Sequence, residues 1–159
     1  MKIRVGFGYD VHPLQEGKDF WLGGIKIPHT KGAVGHSDAD ALIHALCDAL
    51  LGAANLGDIG THFPNTSDEW KGADSKVLLK KVVQMLKKDG YEIGNVDCTV
   101  TLEAPKIAPH IPEMKKALAS VMKILEKNIS IKATTNERMG FVGREEGLIA
   151  YATVLLQTI

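Results

Sequence analysis

The sequence predicts an α+β fold, a mixed β-sheet with helices packed on one face in the manner of a ferredoxin-like sandwich. Two observations carry this. Three segments place apolar residues at helical spacing, whereas others alternate apolar and polar residues with period two. Their order, β-β-β-α-α-β-α-β-β, interleaves the two kinds, as a layered sheet and helix architecture requires.

The first strand is the alternating run Ile3-Arg4-Val5-Gly6-Phe7-Gly8-Tyr9, continuing through Asp10-Val11-His12. Phe20-Trp21-Leu22 and Ile25-Lys26-Ile27 flank Gly23-Gly24, the signature of a hairpin. Residues 38 to about 55 form the first helix, with Ala39, Leu42, Ile43, Leu46 and Leu50 on one stripe and Asp40, His44 and Asp48 on a second, polar stripe. Ser37 followed by Asp40 resembles a helix start, with Asp38 a competing cap. Residues 56–66 lack periodicity and read as a functional loop. A second helix spans Asp74 to Lys88, stopped by Gly90. Val96 to Glu103 alternates as a half-buried strand. A third helix from Pro112 to Glu126 is expected to bury Met114, Leu118, Val121, Met122 and Leu125. Strands near Ile129–Thr134 and Leu148–Leu156 complete the chain.

Its 159 residues fit one domain, residues 1–159, without repeats or linkers. Lys and Arg number 19, Asp and Glu 19, giving a formal net charge of +0. Nucleic acid is therefore not an expected partner. Cys47 and Cys98 lie in a helix pattern and a strand pattern, away from any CxxC spacing, and read as small buried hydrophobes in a reducing compartment. No run has the length of a membrane span, and a strand begins almost at once. A cytoplasmic protein is expected, or a trimmed mature form such as one in the plastid stroma.

Asp10 and His12 stand two apart on a strand, so both side chains share one face. A carboxylate and an imidazole are common zinc ligands, and His44 on the first helix is a third candidate. Three protein ligands leave a fourth tetrahedral position open, which marks a catalytic zinc. Gly35-His36-Ser37-Asp38 is expected to open the helix that carries His44, where free N–H groups suit a phosphate; the same residues also make an ordinary cap. Thr134-Thr135-Asn136-Glu137 follows a strand and offers groups suited to phosphate and a hard cation such as Mg²⁺. Ala104-Pro105-Lys106 adds a rigid backbone and a cation, and Phe141-Val142-Gly143-Arg144 an arginine. Neither nucleotide motif fits: Asp58 replaces the Walker lysine after Gly52 and Gly57, and Gly6-Phe7-Gly8 lacks a third glycine. No nucleophile elbow is present.

Together these residues carry a resemblance. Gly8-Tyr9-Asp10-Val11-His12, Gly35 through Asp40, Leu56 through Gly60, Phe63-Pro64, Lys71 through Ser75, Ala104-Pro105-Lys106 and Ala133 through Glu137 stand in the order and spacing of the 2-C-methyl-D-erythritol 2,4-cyclodiphosphate synthase family. The likeness covers essentially the whole chain. It implies conversion of 4-diphosphocytidyl-2-C-methyl-D-erythritol 2-phosphate to the cyclic diphosphate and CMP, within non-mevalonate isoprenoid synthesis. It implies a homotrimer with active sites between subunits. Asp10, His12 and His44 resemble the Zn²⁺ ligands, and Glu137 the ligand of a Mg²⁺ or Mn²⁺ bridging the α- and β-phosphates. His36 and Thr135 match the catalytic positions that stabilise the transition state. Asp58 and Gly60, with Ser37, Ile59, Phe63 and Asn65 nearby, match the ribose and methylerythritol region. Ala104, Pro105, Lys106, Ile107 and Ala108 match the cytosine pocket, with Lys106 near the phosphates, and Thr134 is among the substrate-binding positions. Phe141 and Arg144 match the mouth of a threefold cavity, where Arg144 meets either an isoprenoid diphosphate or the carboxylates of Glu145 and Glu146. Asn65 departs from the family's usual Asp. The length leaves no room for a cytidylyltransferase domain. A zinc phosphohydrolase and a non-catalytic nucleotide- or isoprenoid-binding trimer are the rival functions.

Overall fold

The computed structural model describes residues 2–159. Seven strands, β1 (Ile3–Glu16), β2 (Phe20–Leu22), β3 (Ile25–Ile27), β4 (Lys31–Ala33), β5 (Tyr91–Thr101), β6 (Ile129–Thr134) and β7 (Gly147–Thr158), join three main helices, α1 (Ala41–Ala53), α3 (Ser75–Lys88) and α4 (Ile111–Met122). Two single-turn helices, α2 (Ile59–His62) and α5 (Gly140–Gly143), sit in loops. The hairpin β2–β3 forms as the sequence indicates, with Gly23 and Gly24 at φ 61° and 80°. Two successive positive φ values are what a tight hairpin turn needs, and glycine adopts them without a Cβ penalty.

The main sheet has five strands in the order β4-β1-β7-β5-β6. All neighbours are antiparallel except β5 and β6, whose parallel pairing uses α4 as its crossover. The ferredoxin-like expectation is corrected here. That motif runs β-α-β-β-α-β, whereas the four long strands here run β1-α-β5-α4-β6-β7, and β7 inserts between β1 and β5. The α+β class and the placement of helices on one face hold: Val96, Cys98, Val100, Ala150, Ala152 and Val154 are buried in the same core as α1, α3 and α4.

Several boundaries differ from the sequence expectation. β4 has three residues, too few for a readable period, and pairs with Leu14–Glu16. β5 begins five residues earlier than expected because Gly94 and Asn95 interrupt its alternation at a register shift. α4 ends at Met122 because Lys123 turns into the left-handed region at φ 59° without glycine to announce it. Leu125 is consequently 62% exposed, not buried. Cys47 and Cys98 are free and buried, as expected.

Strand β1 inverts the usual pattern. Its apolar residues Ile3, Val5, Phe7, Tyr9 and Val11 point away from the helices and are 40–67% exposed. Its buried face carries Gly6 and Gly8. These glycines let α1 lie almost on the strand: a Cβ at Gly8 would fall 1.9 Å from the Ala45 carbonyl oxygen, and one at Gly6 1.9 Å from that of Ala49.

Candidate metal centre and phosphate pocket

Beyond Gly6 and Gly8, the same inward face of β1 carries Asp10 and His12. Helix α1, drawn close by the glycines, places His44 against them. Three atoms converge: His12 Nε2 lies 2.8 Å from Asp10 Oδ2, His44 Nδ1 lies 3.1 Å from the same oxygen, and the two nitrogens are 3.2 Å apart. Zinc bonds of about 2.0 Å in a tetrahedron hold ligand atoms about 3.3 Å from one another. The cluster is therefore pre-shaped for a small divalent ion. His12 Nδ1 donates to the Val34 carbonyl oxygen at 3.0 Å, which leaves the Nε2 lone pair for the centre. A carboxylate oxygen and imidazole lone pairs brought this close repel one another unless a cation sits among them. The donor set thus fits zinc.

Without metal, the same contacts set the ionisation. Burial opposes charge on His12, but the Asp10 carboxylate outweighs it and raises the imidazole above its ordinary value. Burial likewise opposes charge on Asp10, but its contacts with the His12 and His44 imidazoles hold its carboxyl below the ordinary range.

The expected helix start is corrected. Asp40, not Ser37 or Asp38, caps α1; its Oδ1 accepts from Ile43 N at 3.0 Å. The carboxylate also accepts from Gly23 N and Gly24 N, at 3.0 and 2.7 Å, and is fully buried. The Ile43 N–H at this helix start is therefore taken by a side chain of the protein itself. His36 and Ser37 reach the site differently, from the loop preceding the helix. They line a pocket of about 220 Å³ with Asp10, His12, His44, Ile59, Gly60, Phe63 and Asn65. His36 Nε2 donates to the Ser67 carbonyl oxygen at 3.0 Å. Trp70 and Leu78 also line this pocket, and no spacing in the sequence marks them. Asp58 instead caps α2, accepting from Thr61 N and Thr61 Oγ1, both at 2.8 Å. Asp48, one turn beyond His44, accepts from Ile59 N at 2.7 Å and ties this turn to α1.

A second pocket, of about 180 Å³, gathers Pro105, Lys106, Ile107, Ala108, Thr134 and Thr135 with Leu102, Glu103 and Ala133. Glu137 follows this pocket in a left-handed turn, φ 52°, with Arg138 at φ 60°. Glu103 holds that turn: its Oε2 accepts from Asn136 N and its Oε1 from Arg138 N, both at 3.0 Å. Its position directly before Ala104-Pro105-Lys106 was the only sequence cue to it. Asp58, Ala104, Glu137, Phe141 and Arg144 line neither pocket. Arg144 donates from Nε and Nη2 to the two carboxylate oxygens of Glu146, at 2.9 and 3.2 Å.

The two pockets open at the same end of the sheet, because His12 pairs with Leu148 while Ile149 pairs with Thr101 and Thr101 with Thr134. They lie on β1 and β6, three strand intervals apart. At about 4.8 Å per interval that is about 14 Å. One chain therefore presents two separate pockets.

A three-residue cluster that could hold a metal ion lies beside one pocket, with a second pocket across the sheet, an arrangement suited to metal-assisted phosphate chemistry. The chain belongs to the YgbB family, whose model matches residues 3–157. It is 64% identical over 157 residues to the 2-C-methyl-D-erythritol 2,4-cyclodiphosphate synthase of Parabacteroides distasonis, covering 99% of this chain and 98% of that protein. It resembles the bifunctional IspDF of Campylobacter jejuni (39% identity, TM-score 0.96), covering 99% of this chain and 43% of that one. It also resembles a Plasmodium falciparum IspF–CDP complex (35% identity, TM-score 0.87), covering 98% of this chain and 96% of that one.

Proposed function

We propose that residues 1–159 form one catalytic unit that converts 4-diphosphocytidyl-2-C-methyl-D-erythritol 2-phosphate to 2-C-methyl-D-erythritol 2,4-cyclodiphosphate and CMP. The observation that carries this is the Asp10–His12–His44 cluster facing a pocket lined by His36 and Ser37, in a chain so similar to named synthases along its whole length. The 2-phosphate attacks the β-phosphorus, and CMP departs with the bond that breaks. Both reacting groups are anionic. Asp10, His12 and His44 would hold Zn²⁺ and Glu137 would hold Mg²⁺ or Mn²⁺, and the bound ions would supply positive charge to offset their repulsion.

The chain's own residues position the reactants. His36, anchored through Nε2 to the Ser67 carbonyl oxygen, borders the phosphate region, and Ser37 offers its hydroxyl. Phe63 and Trp70, in edge contact with centroids 5.0 Å apart, shield the methylerythritol region from water. Ile59, Gly60 and Asn65 border the same region; Asp58 shapes it as the cap of α2. The backbone from Ala104 to Ala108 receives cytosine, with Lys106, Thr134 and Thr135 at the phosphates. Phosphoryl transfer needs positioning and electrostatics rather than a covalent nucleophile.

The working form is a homotrimer in the cytoplasm. Two half-sites about 14 Å apart cannot hold one diphosphate between Glu137 and the zinc cluster of the same chain. A neighbouring subunit supplies the missing half. The exposed apolar stripe of β1 supplies a surface that assembly would bury. An isoprenoid diphosphate entering a threefold cavity would compete with Glu146 for Arg144. The test is phosphorus NMR of the reaction with and without chelator. Cyclic diphosphate and CMP are expected; linear products would indicate a zinc phosphohydrolase, and no turnover a binding protein.

A further inference from the structure

The outer nitrogen of His44 lies between two hydroxyls, with Ser75 Oγ at 2.9 Å and Ser37 Oγ at 3.0 Å. The donor and acceptor inventory separates their roles. Asp38 Oδ1 accepts the Ser75 hydroxyl hydrogen, and Asp38 Oδ2 accepts from Ser75 N at 2.9 Å. Asp38 is itself held: its N–H donates to the Ala73 carbonyl oxygen at 3.1 Å, and its Oδ1 accepts from Asp40 N at 3.1 Å. Ser75 is fully buried. With its hydrogen committed to Asp38, its oxygen can only accept from His44. His44 Nε2 must then carry the proton, and the Nδ1 lone pair is left facing Asp10 and His12. Ser37 has no such carboxylate behind it and lines the pocket.

We infer that Ser75, oriented by Asp38, is a positioning residue that fixes the Nε2–H tautomer of His44, while Ser37 keeps its hydroxyl for substrate. This rests on the metal reading above. It gives the segment Lys71-Gly72-Ala73-Asp74-Ser75 a role: the first residue of α3 orients a ligand carried by α1. The two histidines are thereby set in opposite tautomers. Val34 holds the proton of His12 on Nδ1, and Ser75 holds that of His44 on Nε2. Such outer partners raise ligand basicity and lock ring orientation, and losing one costs about 10–100-fold in metal affinity.

The test uses the full chain with zinc alone. Its affinity is measured by competition with a chelator of known strength, and the melting temperature is recorded with and without zinc. Ser75→Ala is expected to bind zinc about 10–100-fold more weakly, to lose part of the zinc-induced rise in melting temperature, and to show an altered visible spectrum when loaded with cobalt(II). Ser37→Ala is expected to bind zinc as the parent does. Should Ser75→Ala fail to fold, Asp38→Asn serves. Its amide can donate to Ser75 Oγ, turning the hydroxyl hydrogen toward His44 and favouring the wrong tautomer, so zinc affinity should again fall. Parent-like zinc affinity in Ser75→Ala, or in Asp38→Asn, overturns the assignment while leaving the metal reading intact. An equal loss in Ser37→Ala overturns the division between the two hydroxyls. A parent protein that takes up no zinc overturns the metal reading and this inference with it.

Discussion

Replacing Gly8 by alanine is expected to empty the metal centre without altering any ligand. The added Cβ would sit 1.9 Å from the Ala45 carbonyl oxygen and 2.8 Å from Ala49 N. A carbon–oxygen contact settles at about 3.3 Å. Helix α1 must therefore retreat by about 1.4 Å, the difference between these two separations. His44 rides on that helix one residue before Ala45, and its Nδ1 would leave the 3.1 Å contact with Asp10 by a comparable amount. A ligand displaced so far lies outside a zinc bond of about 2.0 Å unless the helix strains back. Overpacking of this kind costs about 1–3 kcal/mol. For a chain of this size that lowers the melting temperature by about 2–12 °C. The assay is zinc affinity by chelator competition, with melting of the chelated protein as the packing readout. Gly52→Ala is the control, since a Cβ there meets nothing within 4 Å; alanine at this helical position should stabilise by about 0.5–1 kcal/mol. Parent-like zinc affinity in Gly8→Ala would refute the idea that close helix packing builds the centre.

Glu137→Gln should bind zinc normally yet need more Mg²⁺ for turnover, because a hard cation prefers a charged carboxylate oxygen; an unmoved Mg²⁺ titration would remove Glu137 from the site. Mixing His44→Ala with Lys106→Ala, each inactive alone, should restore some activity if sites are shared between subunits. No recovery after verified subunit exchange would place each site within one chain. The metal-free protein should lose stability as the pH rises above neutrality. The raised His12 value means that its contribution is full below about 6.5 and disappears as pH climbs through the folded value. The lowered Asp10 value gives a contribution present above about 3.9 and lost as pH falls through its folded value. Zinc-loaded protein should show the opposite trend above neutrality, since the ligand histidines must be neutral. A melting temperature of the chelated protein that stays flat from acid to alkaline pH would refute the Asp10–His12 pairing.

The parts of the molecule legible in the sequence are those governed by local spacing. The stripe from Leu42 to Leu50, the hairpin at Gly23-Gly24 and the pairing of Asp10 with His12 on one strand face each depend on residues a few positions apart. What was not legible depends on contacts distant in the chain. Asp40 displaced Ser37 and Asp38 as the helix cap because the Gly23 and Gly24 amides, far back in sequence, also claim its carboxylate. Strand order escaped because no local pattern states that β7 inserts between β1 and β5. Gly6 and Gly8 looked like fragments of a nucleotide fingerprint; their purpose, clearance for α1, shows only once the helix is in place. The motifs of the resemblance point to residues of one site, whereas in a single chain they fall partly in two pockets and partly, as with Asp58, Ala104, Glu137, Phe141 and Arg144, in neither.

Strand β1 carries two messages on one stretch of backbone. Even positions, from Gly6 to His12, face the helices and carry Asp10 and His12 of the candidate metal centre; odd positions, from Ile3 to Val11, form the apolar outer surface. Because side chains alternate at every residue, inserting or deleting one amino acid between Gly8 and Asp10 would exchange the two sets. Ligands would move to the outer surface and apolar side chains into the catalytic pocket in the same event. A single substitution therefore alters one face at a time, whereas a change in the length of this segment erases both. Strand β1 should therefore remain fixed in length between Gly8 and Asp10.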